Sequence, residues 1–439
     1  MMIPFLLFFG LGSLLPAFAI RVVKAEPGVW TVDDDGPADF SSISDAMSAS
    51  VPNDIIYVRN GTYQSASVYK PLTLIGESHH DTTIMGRMEI IAPNVTIIGF
   101  TIKSDWMSVL VDGQSDVIIV DNILFSEEDT NIVLKTGRHN RVINNTLLPF
   151  LRDGCGIMLL STAENIIENN VIEGNFCGFY VMNSFGNRVV NNIIRNVSGG
   201  TPVPPTLCNG AAIVTMSSSE ALCNNIFHHN CFTDNVREVY DFSWENPTLA
   251  GCINTWDDDY PSGGNYWSDY NGTDLYSGPF QNETGSDGIG DTPYVIDHSN
   301  IDRYPLVAPV YNLRISMQNQ VAYNIHLISN STISDFHFDS AQKTIAFNAA
   351  GNTGFGFCRI TIPNVIVQNA WEGDATILVS GLPMHFTKWN DTENTYIYFS
   401  YEHSEHYIVV VPEFSLSVIL LLMSLTTVFV YRLPKKKVL

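Results

Sequence analysis

The phrases VDNIL (120–124), INNTL (143–147), ENNVI (168–172), VNNII (190–194) and CNNIF (223–227) repeat one pattern along the chain. In each, two polar residues stand together, and the second is always Asn. The marker residues Asn122, Asn145, Asn170, Asn192 and Asn225 are spaced by 23, 25, 22 and 33 residues. A repeat of this length signals a solenoid, because one repeat cannot bury its own apolar face and must stack on its neighbours. The step of 33 exceeds 22 by 11 residues, and the excess falls at TPVPPT (201–206), which reads as a loop bulging from one turn.

The repeat is too short and too rich in β-branched residues for a pair of helices. Runs such as Val117-Ile118-Ile119-Val120 and Ile193-Ile194 read as short strands closed by Asn, Gly or Asp. Two or three such strands per turn make a coil of a parallel β-helix, with strands of successive coils about 4.8 Å apart and like residues stacked in ladders. The five marker asparagines are expected to form one Asn ladder and to occupy the turn conformation that Asn tolerates. An amphipathic stretch carrying Phe40, Ile43, Ala46 and Met47 on one helical face, ended by Pro52, would cover the open end of the stack. Ile55–Val58, Leu72–Gly76 and Val95–Phe100 read as its first coils, with Phe100 at the ladder position 22 residues before Asn122.

Residues 3–19 are apolar and end in a small-x-small pattern at Ala17-Phe18-Ala19, with Val23-Lys24-Ala25 as a second cleavage candidate. They read as an export signal, with an uncleaved anchor as the other reading because a basic n-region is missing. Residues 415–431 form a second apolar segment followed by Arg432 and Lys435-Lys436-Lys437, a short membrane span with its C-terminus inside the cell. Forty-five acidic against 22 basic residues give a net charge of −23, which argues against nucleic acid as a partner. Asn-x-Ser/Thr sequons begin at Asn60, Asn94, Asn144, Asn196, Asn271, Asn282, Asn330 and Asn390. Of the seven cysteines, Cys155 and Cys177 lie 22 apart in the phrases CGIM and CGFY, so they should stack on adjacent coils. Either a bridge or two buried thiols fits.

Three segments carry a family resemblance. TVDDDGPADF (31–40), DIIYVRNGTY (54–63) and LTLIGE (72–77) resemble the opening of pectate-lyase-like right-handed β-helix proteins, and are most similar to the NosD-like group of archaeal cell surfaces. NTWD (254–257), GGNYWSDY (263–270), DGIGDTPY (287–294) and YPL (304–306) resemble the segment that closes the β-helix in that group. The resemblance spans residues 30–310 and implies a right-handed parallel β-helix, an archaeal surface location and, by the family's association, copper handling. Beyond it, residues 311–411 hold strand-like runs broken by turn signals every ten to fifteen residues, which argues for an immunoglobulin-like β-sandwich acting as a stalk. Pro412-Glu413-Phe414, the apolar span and the lysine cluster together resemble the PEF-type sorting signal of archaeal surface proteins, which implies cleavage by a sortase-like peptidase. An ordinary C-terminal anchor is the alternative.

The expected organisation is therefore all-β: signal peptide 1–25, N-terminal capping segment 26–53, right-handed parallel β-helix 54–240, an acidic aromatic-rich closing segment 241–310, the β-sandwich 311–411, and 412–439 as sorting motif, transmembrane helix and basic tail.

For chemistry, the solenoid offers Asp121, Asp153, Glu164, Glu168, Glu173, Asp234, Glu238 and Asp241, and no two recur in register as glycoside hydrolysis would want. Asp121 is followed at its position by Asn144, Asn169, Asn191 and Asn224. Arg138, Arg141, Arg188, Arg195 and Arg237 are candidate lyase bases, or solvated charges. Clustered hard oxygens at Asp257, Asp258, Asp259, Asp287 and Asp291, with glycines for tight bends, suit Ca²⁺. Trp256, Tyr266 and Trp267 are candidates for stacking on sugars, or they pack a cap. Copper would prefer His, Cys and Met. His228-His229 is the suggestive pair, with Met158, Met182 and Met216 elsewhere, yet neighbours on a strand point to opposite faces and should not share a metal. The reading that results is a membrane-anchored cell-surface protein, without catalysis, that binds polysaccharide or other surface components. A polysaccharide lyase or glycoside hydrolase on the same fold and a copper-handling accessory protein are the alternatives.

Overall fold

The structure is a computed structural model and describes residues 26–127, 129–149, 154–198, 210–316, 322–367 and 375–412. The expected signal peptide, Asp153, the TPVPPT loop, Cys208, Glu413, Phe414 and the apolar span 415–431 lie outside the described residues. Among the described residues no helix is long and apolar enough to cross a membrane.

The first part of the chain is a parallel β-helix whose coils contribute to three sheets of nine, eight and nine strands. Alternation within each short strand drives the stack. In the first sheet Ile56, Leu74, Ile97, Ile119, Val142, Ile167, Val189 and Phe227 follow one another in register, and all are fully buried. The first strand of that sheet is Val29–Val32, paired with Ile55–Val58, so the solenoid starts inside the segment expected only to cap it. The cap itself is the helix Ile43–Ala49, started by the Ser42 side chain on the amide of Asp45, with Ile43, Ala46 and Met47 buried against the first coil.

Two Asn ladders run through the stack, where the repeat predicts one. The first runs Asn122, Asn145, Asn170, Asn192, Asn230 and Asn265, each Oδ1 accepting the amide of the ladder residue one coil earlier at 2.9–3.1 Å. Phe100 begins it, donating to Asn122 Oδ1 at 3.0 Å, and Asp302 ends it, accepting from the Asn265 amide at 2.7 Å. The second runs Asn140, Asn165, Asn187, Asn225, Asn254 and Asn300. Asn225 therefore belongs to the second ladder and Asn230 takes its expected place, so the long step is 38 residues. The turn conformation is also held elsewhere than expected: Asp121, Asn144, Asn169, Asn191 and His229, each one residue before a ladder Asn, carry the positive φ of 55–58°. The two polar residues of each phrase divide the work, the first bending the backbone and the second bonding the coils.

The C-terminal end is closed by aromatic rungs. Phe227 stacks on Trp256 at 4.7 Å, Phe232 on Trp267 at 4.4 Å, and Trp267 on Tyr294 at 4.3 Å. Cys223 and Cys252 form a disulfide beside them. Cys155 and Cys177 stand opposite one another in register, as their spacing predicts, and are buried thiols.

The described residues between 310 and 412 form two five-stranded antiparallel sheets packed face to face. Ile325, Ile360 and Phe399 of one sheet meet Phe347, Ile377 and Ile408 of the other. These sheets lie against the solenoid. Ile289, Leu306, Val310, Ile328 and Phe357 share one apolar cluster with Cys231 of the last coils. Arg359, fully buried, donates to the backbone carbonyls of Asp287 and Pro261 and lies 5.1 Å from the Tyr396 ring.

Candidate functional site

Docking the sandwich against the first sheet of the solenoid leaves a groove of about 690 Å³ between them. Its floor is the outward row of that sheet, with Ile118, Val120, Arg141, Ile143 and Glu168, and the turn row Asp121, Asn144, Asn169 and Asn191. Its roof is the strand Val310–Ser316, which contributes Tyr311, Asn312 and Arg314. Asn312 anchors the roof by donating to the Asn191 carbonyl at 2.9 Å. The Oδ1 atoms of Asn169 and Asn191 are buried and accept no hydrogen bond. Asp121 and Glu168 lie two coils apart on this floor, about 10 Å along the stack.

A second pocket, of about 240 Å³, lies by the closing segment around Glu238, Asp269, Trp244 and Tyr294. Burial pushes the Glu238 carboxyl up to about 7, although the Asn235 amide donates to it at 2.8 Å. Tyr294 donates to Asp269 at 3.1 Å. Glu238 stood in the sequence as one carboxylate among eight, with nothing to mark its burial.

A third cavity, of about 230 Å³, adjoins the groove and shares Glu168 and Asn191 with it. His228, His229, His326, Asp258 and Ser262 line it. The adjacent histidines do not point apart as strand geometry predicts. The strand ends at His228, and the left-handed backbone of His229 at φ 56° turns its ring back, so that the two Nδ1 atoms lie 2.8 Å apart. The His, Cys and Met set that copper favours is split, because Met158, Met182 and Met216 pack with Cys155 and Cys177 on the second sheet.

The expected Ca²⁺ set is not assembled. Asp257 is buried in an ion pair with Arg303, which also reaches Asp259. Asp287 caps the amide of Ile289, with burial pushing its carboxyl up, and Asp291 caps Leu275 and Tyr276 in another loop. Among the described residues no three of these five carboxylates bring ligand atoms within 4.8 Å of one another; Asp258 does so with His228 and His229. Trp256 and Trp267, each 1% exposed, are core rungs and offer no face to a sugar, and Tyr266 is half-buried against the docked sheets.

No curated protein matches the chain. Solved structures that resemble it include pectin methylesterase PemA from Erwinia chrysanthemi, at 12% identity over 49% of this chain and 81% of that one, with a TM-score of 0.32. An alginate lyase from Paenibacillus sp. str. FPU-7 is also 12% identical, over 52% of this chain and 95% of that one, with a TM-score of 0.27. The PL6 family alginate lyase AlyGC is 12% identical over 64% and 53%, with a TM-score of 0.25. Residues 89–261 match the family described as right handed beta helix region, so the solenoid carrying the groove is a right-handed parallel β-helix.

Proposed function

We propose that this is an exported surface protein that binds polysaccharide in the groove between solenoid and sandwich without cleaving it. The observation that carries the reading is the pair of buried, unpartnered amide oxygens of Asn169 and Asn191 on the groove floor. A buried acceptor without a donor costs roughly 1–3 kcal/mol, and a small shift of the turn row on binding would bring these oxygens within reach of a ligand's hydroxyl donors. Arg141 and Arg314 on the two walls are placed to take sugar carboxylates, and the volume falls within the roughly 300–1,000 Å³ of ligand clefts. The apolar segments 3–19 and 415–431 support export and a membrane tether, with PEF-type processing as the variant of the tether that Pro412 to Phe414 suggest.

A second reading, a carbohydrate-active enzyme, draws on Glu238. Burial pushes the Glu238 carboxyl up to about 7, within reach of a general acid's role, and the exposed carboxylate of Asp269 lines the same pocket. A glycan screen of the whole protein, with and without Ca²⁺, followed by assays for new reducing ends and unsaturated products, separates the two. Binding without products is expected. Products would transfer the function to the Glu238 pocket, and absence of binding would overturn the saccharide reading.

A further inference from the structure

The cavity beside the groove holds a chain of hydrogen bonds whose proton positions follow from its end group. His229 Nε2 lies 3.1 Å from the Ser262 carbonyl oxygen, which only accepts, so Nε2 carries the proton. In a neutral imidazole Nδ1 is then a lone pair. His228 Nδ1, 2.8 Å from it, must be the donor. That leaves a lone pair on His228 Nε2, an atom that is buried and has no hydrogen-bond partner. It lies 4.0 Å from Asp258 Oδ1, another acceptor, whose partner oxygen is already taken by the Ser262 hydroxyl at 2.7 Å. Two electron-pair donors thus face each other across a gap with no hydrogen between them.

His326 stacks on His229 at 5.9 Å, and its Nδ1 is engaged by Asn312 Oδ1 at 2.7 Å.

We infer that His228 Nε2 and Asp258 Oδ1 bind a divalent cation of the zinc and cobalt type, with His229 and Ser262 fixing the His228 ring from behind. Two ligands of a tetrahedral zinc stand about 3.4 Å apart, so the 4.0 Å gap needs to close by roughly half an ångström, which the half-exposed Asp258 side chain can supply by rotation. An N–H relay from a metal-binding imidazole to a fixed acceptor is the usual support of such ligands. A nitrogen and carboxylate set selects against Ca²⁺, which takes oxygen ligands alone. Asp258 is half exposed while His228 is closed off, so the ion enters from the Asp258 side. Glu168 and Asn191 line both this cavity and the groove, so the site adjoins the groove's end.

The test is titration of the whole chelator-stripped protein with Zn²⁺ by calorimetry and with Co²⁺ by visible absorption. One equivalent should bind, with Co²⁺ bands of low-symmetry nitrogen and oxygen ligation. Asp258→Asn, at an exposed side chain, and His228→Gln should each weaken binding at least tenfold, whereas Asp33→Asn in the separate acidic run 33–35 should leave it unchanged. Melting of the metal-free variants by circular dichroism checks their folding, and Asp258→Asn alone decides if His228→Gln does not fold. No stoichiometric uptake by the unaltered protein, or uptake kept within twofold by Asp258→Asn, would overturn the inference.

Discussion

Single residues here are set by what surrounds them more than by their type. Glu238 has a folded pKa near 7 against an ordinary 4.5, because burial disfavours its charge. The folded state keeps a proton that the unfolded chain releases above about 4.5, so this contribution is full below that pH and is lost as pH rises through 7. Glu238→Gln, which preserves the contact with Asn235, is predicted to stabilise the protein at pH 8 by on the order of 1–3 kcal/mol and to change little at pH 4.5. Denaturant unfolding at the two pH values measures it; equal effects at both would refute the shift. The tryptophans give the complementary case. Trp267→Ala should cost about 3–5 kcal/mol through loss of a core rung, while saccharide affinity of the folded variant stays unchanged. Loss of affinity without loss of stability would restore Trp267 to the ligand role that its aromatic neighbours suggested.

At the scale of elements, the ladders do the joining. Asn170 accepts from the Asn145 amide at 2.9 Å and donates to the carbonyls of Val142 and Glu168 at 2.8 and 3.1 Å. Asn170→Ala strands several buried partners and should cost at least about 3 kcal/mol, whereas Asn144→Gly one coil earlier should be nearly neutral because Gly adopts the turn at least as well. Chemical denaturation of the two variants compares them directly. The coils, the capping helix and Phe100 at the head of the ladder were legible because period and apolar alternation are local properties of the chain. The second ladder was legible in principle: Asn140, Asn165 and Asn187 each stand five residues before a ladder Asn, and that spacing puts Asn225 before Asn230. The histidine cavity was not, because a left-handed turn at His229 reverses the strand rule on which the reading of that pair relied.

For the whole molecule, the arrangement of the two parts creates the groove, and no repeat or strand pattern announces it. Arg359 is the pin, with Tyr396 and Trp389 at 5.1 and 5.8 Å and two backbone carbonyls of the closing segment as acceptors. Solenoid and sandwich should therefore unfold in one calorimetric transition, and Arg359→Met, which leaves those carbonyls unpaired, should divide it into two. A single transition at an unchanged temperature would show that the docking does not depend on this residue.

The most direct test of the groove as the binding surface is hydrogen exchange on the whole protein with and without a bound oligosaccharide from the glycan screen. Slower exchange is predicted along Arg141–Ile143, Ile166–Glu168 and Val310–Ser316, which form the floor and roof. Protection confined instead to Arg237–Asp241 and Tyr294–Val295 would place the ligand in the Glu238 pocket and contradict the account.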